Sequence, residues 1–252
     1  MQAENKMYKA MVSSDWSECL APCSPFDCIS FNFPQLTTEL ETIFKQYTGN
    51  VISLGEAARK IQALLPATLT TEQMDAYLDN SFSTYKGVPE LIEWCLSKDI
   101  LFMINTTGMI GYFQRIFAKS LLPLVPALSA HPMIRYPQQH SDPNVIFDLF
   151  EIKDKGKNTE AAVRFFNIPL NQIILMGDSG GDGPHFEWGT KADAFLIGSM
   201  TKPSLEKYCQ KKNININVRF GISDTAGKKK DLEKEMQIDF MDLASLIEDL
   251  IL

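Results

Sequence analysis

Two aspartates, Asp178 and Asp182, stand four residues apart in the glycine-rich stretch Gly177-Asp178-Ser179-Gly180-Gly181-Asp182-Gly183, directly after the apolar run at residues 172–176. Two carboxylates confined in one tight loop repel each other unless a cation lies between them, so this spacing points to a divalent metal. A third acid, Asp15, follows an apolar run near the N-terminus, residues 8–12, and the threonines Thr106 and Thr107 follow another at 99–105. Lys155 lies in a cluster of lysines ahead of the paired acids. Together these residues suit phosphoryl chemistry. A carboxylate can attack phosphorus to give an acyl phosphate that water then cleaves, splitting one hard step into two easier ones. A divalent cation, an ammonium group and hydroxyl donors relieve the repulsion between the carboxylates and an anionic substrate. Mg²⁺ prefers oxygen ligands, which Asp15, Asp178 and Asp182 supply.

The same loop permits a second reading. Gly177-Asp178-Ser179-Gly180-Gly181 also surrounds the reactive serine of trypsin-like proteases. That chemistry needs an imidazole close enough to take the serine proton. His131 and His140 fall only a short way before Ser179, and such proteases are disulfide-bearing β-barrels. The alternating pattern described below does not fit that background. Cys19, Cys23 and Cys28 are spaced like part of a metal cluster, but no second Cys/His pair nearby completes a four-ligand zinc site. A phosphoacceptor receiver domain shares an Asp, a Thr and a Lys, yet is much shorter and lacks the paired acids.

The elements that must position these residues follow from periodicity. Three helices are predicted between residues 37 and 82. Their apolar faces are Leu40, Ile43, Phe44 and Tyr47, then Leu54, Ala57, Ile61, Leu64 and Leu65, then Met74, Tyr77, Leu78 and Phe82. Ser53 to Glu56 and Thr70 to Gln73 both have the capping-box form. From Gly87 onward, helix and strand alternate: a helix with Val88, Leu91, Ile92, Cys95 and Leu96 inside, the strand 99–105, a helix over 108–122, a helix over 158–166, the strands 172–176 and 193–198, and a helix over 204–211. Nearly continuous apolar strands joined by helices indicate an α/β fold with a doubly wound parallel sheet. Residues 214–220 instead alternate strictly and are expected to form an edge strand with one wet face. In such sheets the chemistry collects in loops beyond the carboxyl ends of the strands, where Asp15, Thr106 and Asp178 all fall.

Composition narrows the function further. The 252 residues carry 24 Lys and Arg against 31 Asp and Glu, a formal charge of −7, which argues against broad attraction to nucleic-acid phosphate or an anionic membrane. The Lys228-Lys229-Lys230 run, followed at once by Asp231, Glu233 and Glu235, reads as a solvated helix surface. No window approaches the roughly 20 apolar residues of a membrane span, and the first twelve residues lack the apolar stretch of a signal peptide. With five cysteines, an odd number in no dense framework, the expectation is a cytoplasmic protein with free thiols. Its oligomeric state is not fixed by the sequence.

Taken in order, these features resemble the haloacid dehalogenase superfamily of hydrolases over nearly the whole chain. "VSSDWSECLAP" looks like the family's Asp-x-Asp-x-Thr motif, with Asp15 in the nucleophile position. Thr106 is similar to its second motif and is followed by Thr107-Gly108, much as glycines follow the serine of phosphoserine-phosphatase-like members. Gly177, Asp178 and Asp182 match Gly-Asp-x-x-x-Asp, and Lys155-Gly156 lies 178 − 155 = 23 residues before Asp178, as in that branch. The resemblance implies a Rossmann-like core formed by residues 1–23 and 87–252 and a small all-helical cap at 24–86. It implies a Mg²⁺-dependent phosphatase acting on a small phosphorylated metabolite through an aspartyl-phosphate intermediate. Mg²⁺ would be held by Asp15, Asp178, Asp182 and the Ser17 carbonyl. Thr106 and Lys155 would bind phosphoryl oxygens, and Thr107, Gly108 and the cap residue Lys60 would face the substrate.

One departure bears on activity. Where most phosphatases of this family carry a second aspartate as general acid and base, this chain has Ser17, whose hydroxyl is far too weak an acid for that role near neutral pH. Glu18 or water could substitute, or the substrate could bring a good leaving group. Alternatively, the protein could bind phosphate ligands without turnover. "DWSEC" also resembles the phosphonoacetaldehyde-hydrolase branch, which forms a Schiff base with a cap lysine, here Lys60.

Overall fold

Seven strands form one parallel sheet in the order β4-β3-β2-β1-β5-β6-β7, as seen in a computed structural model that describes residues 7–49, 51–223 and 231–251. The strands are β1 (Ala10–Ser14), β2 (Ile100–Met109), β3 (Ala127–His131), β4 (Val145–Asp148), β5 (Ile173–Gly177), β6 (Phe195–Ser199) and β7 (Val218–Phe220). Helices α1 (Asp27–Asn32), α2 (Thr37–Thr48), α3 (Leu54–Leu64) and α4 (Thr71–Ser81) follow β1. Next come α5 (Val88–Ser97) before β2, α6 (Ile110–Ala118) after it, and α7 (Asp154–Phe165) between β4 and β5. The chain then adds α8 (Gly183–Lys191), α9 (Pro203–Lys212), α10 (Leu232–Glu235) and α11 (Leu243–Ile251).

The central strands are apolar throughout because each feeds two cores. On β1, Ala10 and Val12 pack with Leu91 of α5, Tyr112 and Phe113 of α6, and Ile247 of α11, whereas Met11 packs with Val163 of α7, Phe186 of α8 and Leu205 of α9. Strand β2 divides the same way, Phe102 and Ile104 against Leu101 and Met103. This two-residue alternation between helical layers explains why no polar face marks these strands. Strand order reverses direction at β1, which is flanked by β2 and β5. The carboxyl ends of β1 and β5 therefore open the crevice in which doubly wound folds bind ligands.

Several local expectations shift. Strand β1 begins two residues later than the apolar run suggests, and β2 extends through Met109, so α6 starts at Ile110 rather than 108. Strands β3 and β4 were not legible, since β3 contains Ser129 and His131 and β4 is a four-residue edge. Strand β7 is an edge as expected, but only its last three residues pair; Ile214 and Ile216 are buried in the core beside α9. Glu235 is buried and accepts a hydrogen bond from the Tyr85 hydroxyl at 3.0 Å, so that part of the acidic run is not a solvated surface. Lys228-Lys229-Lys230 lies outside the described residues.

The helices after β1 are fixed to the sheet domain on two flanks. Arg115 on α6 makes a paired bridge to Asp75 on α4 at 2.7 and 2.8 Å, and Lys119 meets Asp79 at 2.8 Å. On the other flank, Glu151 accepts from Ser53 Oγ at 2.8 Å and from the Leu54 and Gly55 amides, both at 3.2 Å. That carboxylate satisfies donors that the first turn of α3 leaves without intrahelical partners. The capping box is complete at Thr70 and Gln73; at Ser53 only the half that accepts the Glu56 amide is present.

Candidate active site

Asp15 leaves the end of β1 with its amide donating to the Met176 carbonyl of β5 at 3.0 Å, which places its side chain over the crevice. Trp16 then turns inward and is fully buried against the rings of Phe82, Tyr112 and Phe113, anchoring the loop that carries Ser17 and Glu18. Beyond β5, the Asp178 and Ser179 amides donate to Asp182 Oδ2 at 3.0 and 3.2 Å, while Ser179 Oγ accepts from the Asp182 amide. Gly177 is needed here, because a Cβ would lie 2.6 Å from Asp182 Cβ and Cγ. Ser179 is thus a helix cap. The buried imidazole of His185 meets Thr159 and His131 accepts from the Met133 amide, so neither is set against Ser179 as a protease triad requires.

Carboxylate oxygens of Asp15, Asp178 and Asp182 lie within 4.8 Å of one another, all three residues buried. Lys155, on the first turn of α7, is 1 % exposed and reaches across them, 2.5 Å from Asp182 Oδ1 and 3.1 Å from Asp15 Oδ1. A second ammonium, Lys202, lies 2.7 Å from Asp178 Oδ2 and also bonds Glu18. Despite these ion pairs, Asp15 Oδ1 and Asp178 Oδ2 receive no hydrogen bond of regular geometry among the described residues. Three converging carboxylates, two of them with an unsatisfied oxygen, fit a hard divalent cation such as Mg²⁺.

Burial pushes Asp15 and Asp178 above the usual carboxylate range, Asp178 most strongly, although Lys155 and Lys202 respectively pull them back. Asp182 suffers the same burial, but Lys155 and backbone donors outweigh it and hold its carboxyl below that range. Burial works against the Lys155 charge, and Asp15 with Asp182 overcomes it, keeping the ammonium above the ordinary lysine range.

Beneath Lys155 lies a buried polar network. Asn105 Nδ2 donates to the Lys155 carbonyl and Thr159 Oγ1 at 3.0 Å and to Ser13 Oγ at 3.3 Å. Thr159 Oγ1 donates to the Lys155 carbonyl at 3.0 Å, so its 2.9 Å contact with His185 is an Nε2–H donating to the threonine. Burial and then Lys155 drive the His185 pKa down to about 3, keeping the imidazole neutral.

A cavity of about 310 Å³ opens over Asp15, Asp178 and Lys155, with Ser17, Thr107 and Tyr47 in its lining. Several expected positions fall elsewhere. Thr106 is fully buried outside that lining, its Oγ1 accepting from the Gly108 amide at 3.2 Å, because the bulge in β2 presents Thr107 instead. Gly108 packs under Pro25, whose Cγ would lie 2.6 Å from a Cβ. Lys60 is a correction: it projects from the exposed face of α3, 3.3 Å from both Glu56 and Gln46 Oε1, since the inward face of that helix carries Ala57, Ala58 and Ile61. Cys19, Cys23 and Cys28 are free, and the three aspartates are the one group of three or more acidic, His or Cys residues placed to hold a metal ion among the described residues. Sequence reasoning missed Lys202, although it follows β6 and the same search of strand ends reaches it.

No protein-family model matches the chain. No curated protein matches it in sequence. Solved structures do match in fold. A phospho-aspartyl intermediate analogue of phosphoserine phosphatase superposes with a TM-score of 0.65 at 16 % identity, covering 95 % of this chain and 99 % of its own. A HAD family hydrolase from Salmonella enterica serovar Typhi gives 0.68 at 16 % identity, over 96 % of this chain and 73 % of its own. Cytosolic 5'-nucleotidase IIIB bound to cytidine gives 0.60 at 14 % identity, over 98 % and 85 %. The chain therefore has the fold of HAD hydrolases, phosphoserine phosphatase and 5'-nucleotidase among them, over nearly its whole length.

Proposed function

We propose that the protein is a Mg²⁺-dependent phosphatase of the haloacid dehalogenase type, acting on a small phosphate monoester. The observation that carries this reading is the convergence of Asp15, Asp178 and Asp182 with Lys155 at the carboxyl ends of β1 and β5. Asp15 is the nucleophile: a carboxylate oxygen attacks phosphorus, the ester oxygen departs, and water cleaves the aspartyl phosphate. Lys155 keeps the Asp15 carboxylate oriented and offers positive charge to the phosphoryl oxygens. Thr107 supplies the hydroxyl donor at the cavity wall assigned above to Thr106. Mg²⁺, held by Asp15, Asp178, Asp182 and the Ser17 carbonyl, would neutralise the charge in transfer. The helices α1 to α4 act as the cap, closing the cavity with Phe26, Phe44 and Tyr47.

The cavity also bears on the leaving group. The cap side of its lining contributes Ser24, Phe26, Asp27, Phe44, Tyr47 and Thr48, and the two cations that line it, Lys155 and Lys202, are both ion-paired with carboxylates. A leaving group bearing a carboxylate, as in phosphoserine, would have to compete with those ion pairs for a cation. Uncharged or apolar alcohols suit this wall. The phosphonatase alternative needs an amine in the cavity other than the ion-paired Lys155 and Lys202, and Lys60 lies outside it. Ser17 does line the cavity, which favours as second reading a phosphate-binding protein without turnover.

A p-nitrophenyl phosphate assay decides between the two. Hydrolysis that requires Mg²⁺ and is abolished by EDTA supports the phosphatase. Phosphate binding without any hydrolysis overturns it in favour of the binding protein.

A further inference from the structure

Lys202 brings a tethered cation to one of the carboxylates of the metal cluster. Its backbone amide donates to the Asp178 carbonyl at 2.8 Å, which fixes the root of the side chain beside the loop. Its ammonium lies 2.7 Å from Asp178 Oδ2 and bonds the Glu18 carboxylate as well. Asp178 is nearly fully buried, whereas Glu18 and Lys202 are about one-third exposed and both line the cavity. Glu18 itself has φ of 57°, a left-handed conformation that costs a residue with a Cβ free energy and that clusters at functional sites. With Asp15, Asp178, Asp182 and Glu18 ionised against Lys155 and Lys202, two negative charges remain uncompensated, the charge of one divalent cation.

We propose that Lys202 is a built-in competitor for the metal site: it occupies Asp178 when no divalent cation is bound and moves wholly onto Glu18 when one is. Glu18 is the counter-ion that makes this exchange possible. Without it the displaced ammonium would lose the carboxylate that it contacts besides Asp178 among the described residues, and the metal would have to drive it off without a partner already in place. The two side chains therefore set metal affinity in opposite directions. Lys202 lowers it by shielding Asp178, and Glu18 raises it by drawing Lys202 away. This inference rests on the Mg²⁺ site of the proposed function and adds to it a pair of residues that tune occupancy.

The test is calorimetric titration of the full chain with Mg²⁺ alone, repeated with Mn²⁺ followed by electron paramagnetic resonance, without substrate. Lys202→Met is expected to tighten binding by about tenfold, a modest share of the Coulomb energy between close charges. Glu18→Gln is expected to weaken it by about the same factor, and the double variant to resemble Lys202→Met. Circular dichroism confirms that each variant is folded. Unchanged or weaker binding in Lys202→Met, or unchanged binding in Glu18→Gln, overturns the proposal while leaving the metal site intact. No binding by any of the folded chains overturns the metal site itself, and the proposal with it.

Discussion

Lys155 Nζ lies 2.5 Å from Asp182 Oδ1, and both side chains are sealed from solvent. The pair places one ammonium between the Asp15 carboxylate at the end of β1 and the loop after β5, so it serves the architecture of the site as well as its chemistry. Replacing one partner of a buried pair leaves an uncompensated charge. Lys155→Met is therefore expected to abolish hydrolysis and to lower unfolding free energy by about 3–5 kcal/mol, measured by p-nitrophenyl phosphate turnover and urea denaturation. A variant that keeps wild-type stability would show that Asp15 and Asp182 need no cation.

Asp15→Asn separates chemistry from folding. It preserves shape and removes a charge that burial disfavours. Turnover should fall by at least about a thousandfold, because an amide cannot act as the nucleophile, while the melting temperature holds or rises. Residual activity near wild type would remove Asp15 from the nucleophile role.

Ser17→Asp places a carboxylic acid two residues after Asp15, where the chain has only a hydroxyl. General acid catalysis contributes typically about 10²–10⁴-fold, and it matters most when the leaving group is a poor one. Alkyl phosphate hydrolysis is expected to rise at least tenfold, with p-nitrophenyl phosphate changing little. Equal effects on both esters would show that protonation of the leaving group is not what limits the wild-type chain.

His185 gives a pH dependence of defined sign. Its folded pKa is about 3, below its ordinary value of 6.5, so between these values the unfolded chain binds more protons than the native one. Stability from this group is present above about pH 6.5 and is lost as pH falls toward 3. His185→Gln should flatten the slope of melting temperature against pH over that window relative to wild type. Asp178, with its carboxyl raised, contributes the opposite slope, favouring the native state as pH falls, and Mg²⁺ should suppress that part. Melts from pH 4 to 8 with and without Mg²⁺ check both.

Glu151→Ala tests the tie between the helices after β1 and the sheet domain. Three hydrogen bonds to the start of α3 are lost. Capping losses of this kind cost about 0.5–2 kcal/mol. Amide exchange at Leu54 and Gly55 should accelerate, with protection in β1 and β5 unchanged. Unchanged exchange at α3 would show that the Glu151 tie is dispensable and that the Arg115 and Lys119 bridges on the opposite flank suffice.

The sequence by itself determined the fold class and the cluster of acids. Apolar strands alternating with helices dictate a parallel sheet, and acids placed directly after such strands are delivered to one edge by chain direction alone. That is why Asp15, Asp178 and Asp182 could be read before any geometry, whereas Lys155 was singled out among its neighbouring lysines by its 23-residue spacing from Asp178. Local periodicity and strand-end position carry this information without reference to distant residues. Tertiary structure decided what depends on side-chain direction and on partners far apart in sequence. A bulge in β2 turned Thr107 rather than Thr106 toward the cavity. The orientation of α3 sent Lys60 to solvent, and the packing of β6 beside β5 brought Lys202 to Asp178, 24 residues away in the chain and 2.7 Å away in space. A one-residue change of register or face reverses a side chain without altering the hydrophobic pattern that defines the element. Spacing therefore located the acids of the site, and the fold selected the hydroxyl and the second cation that surround them.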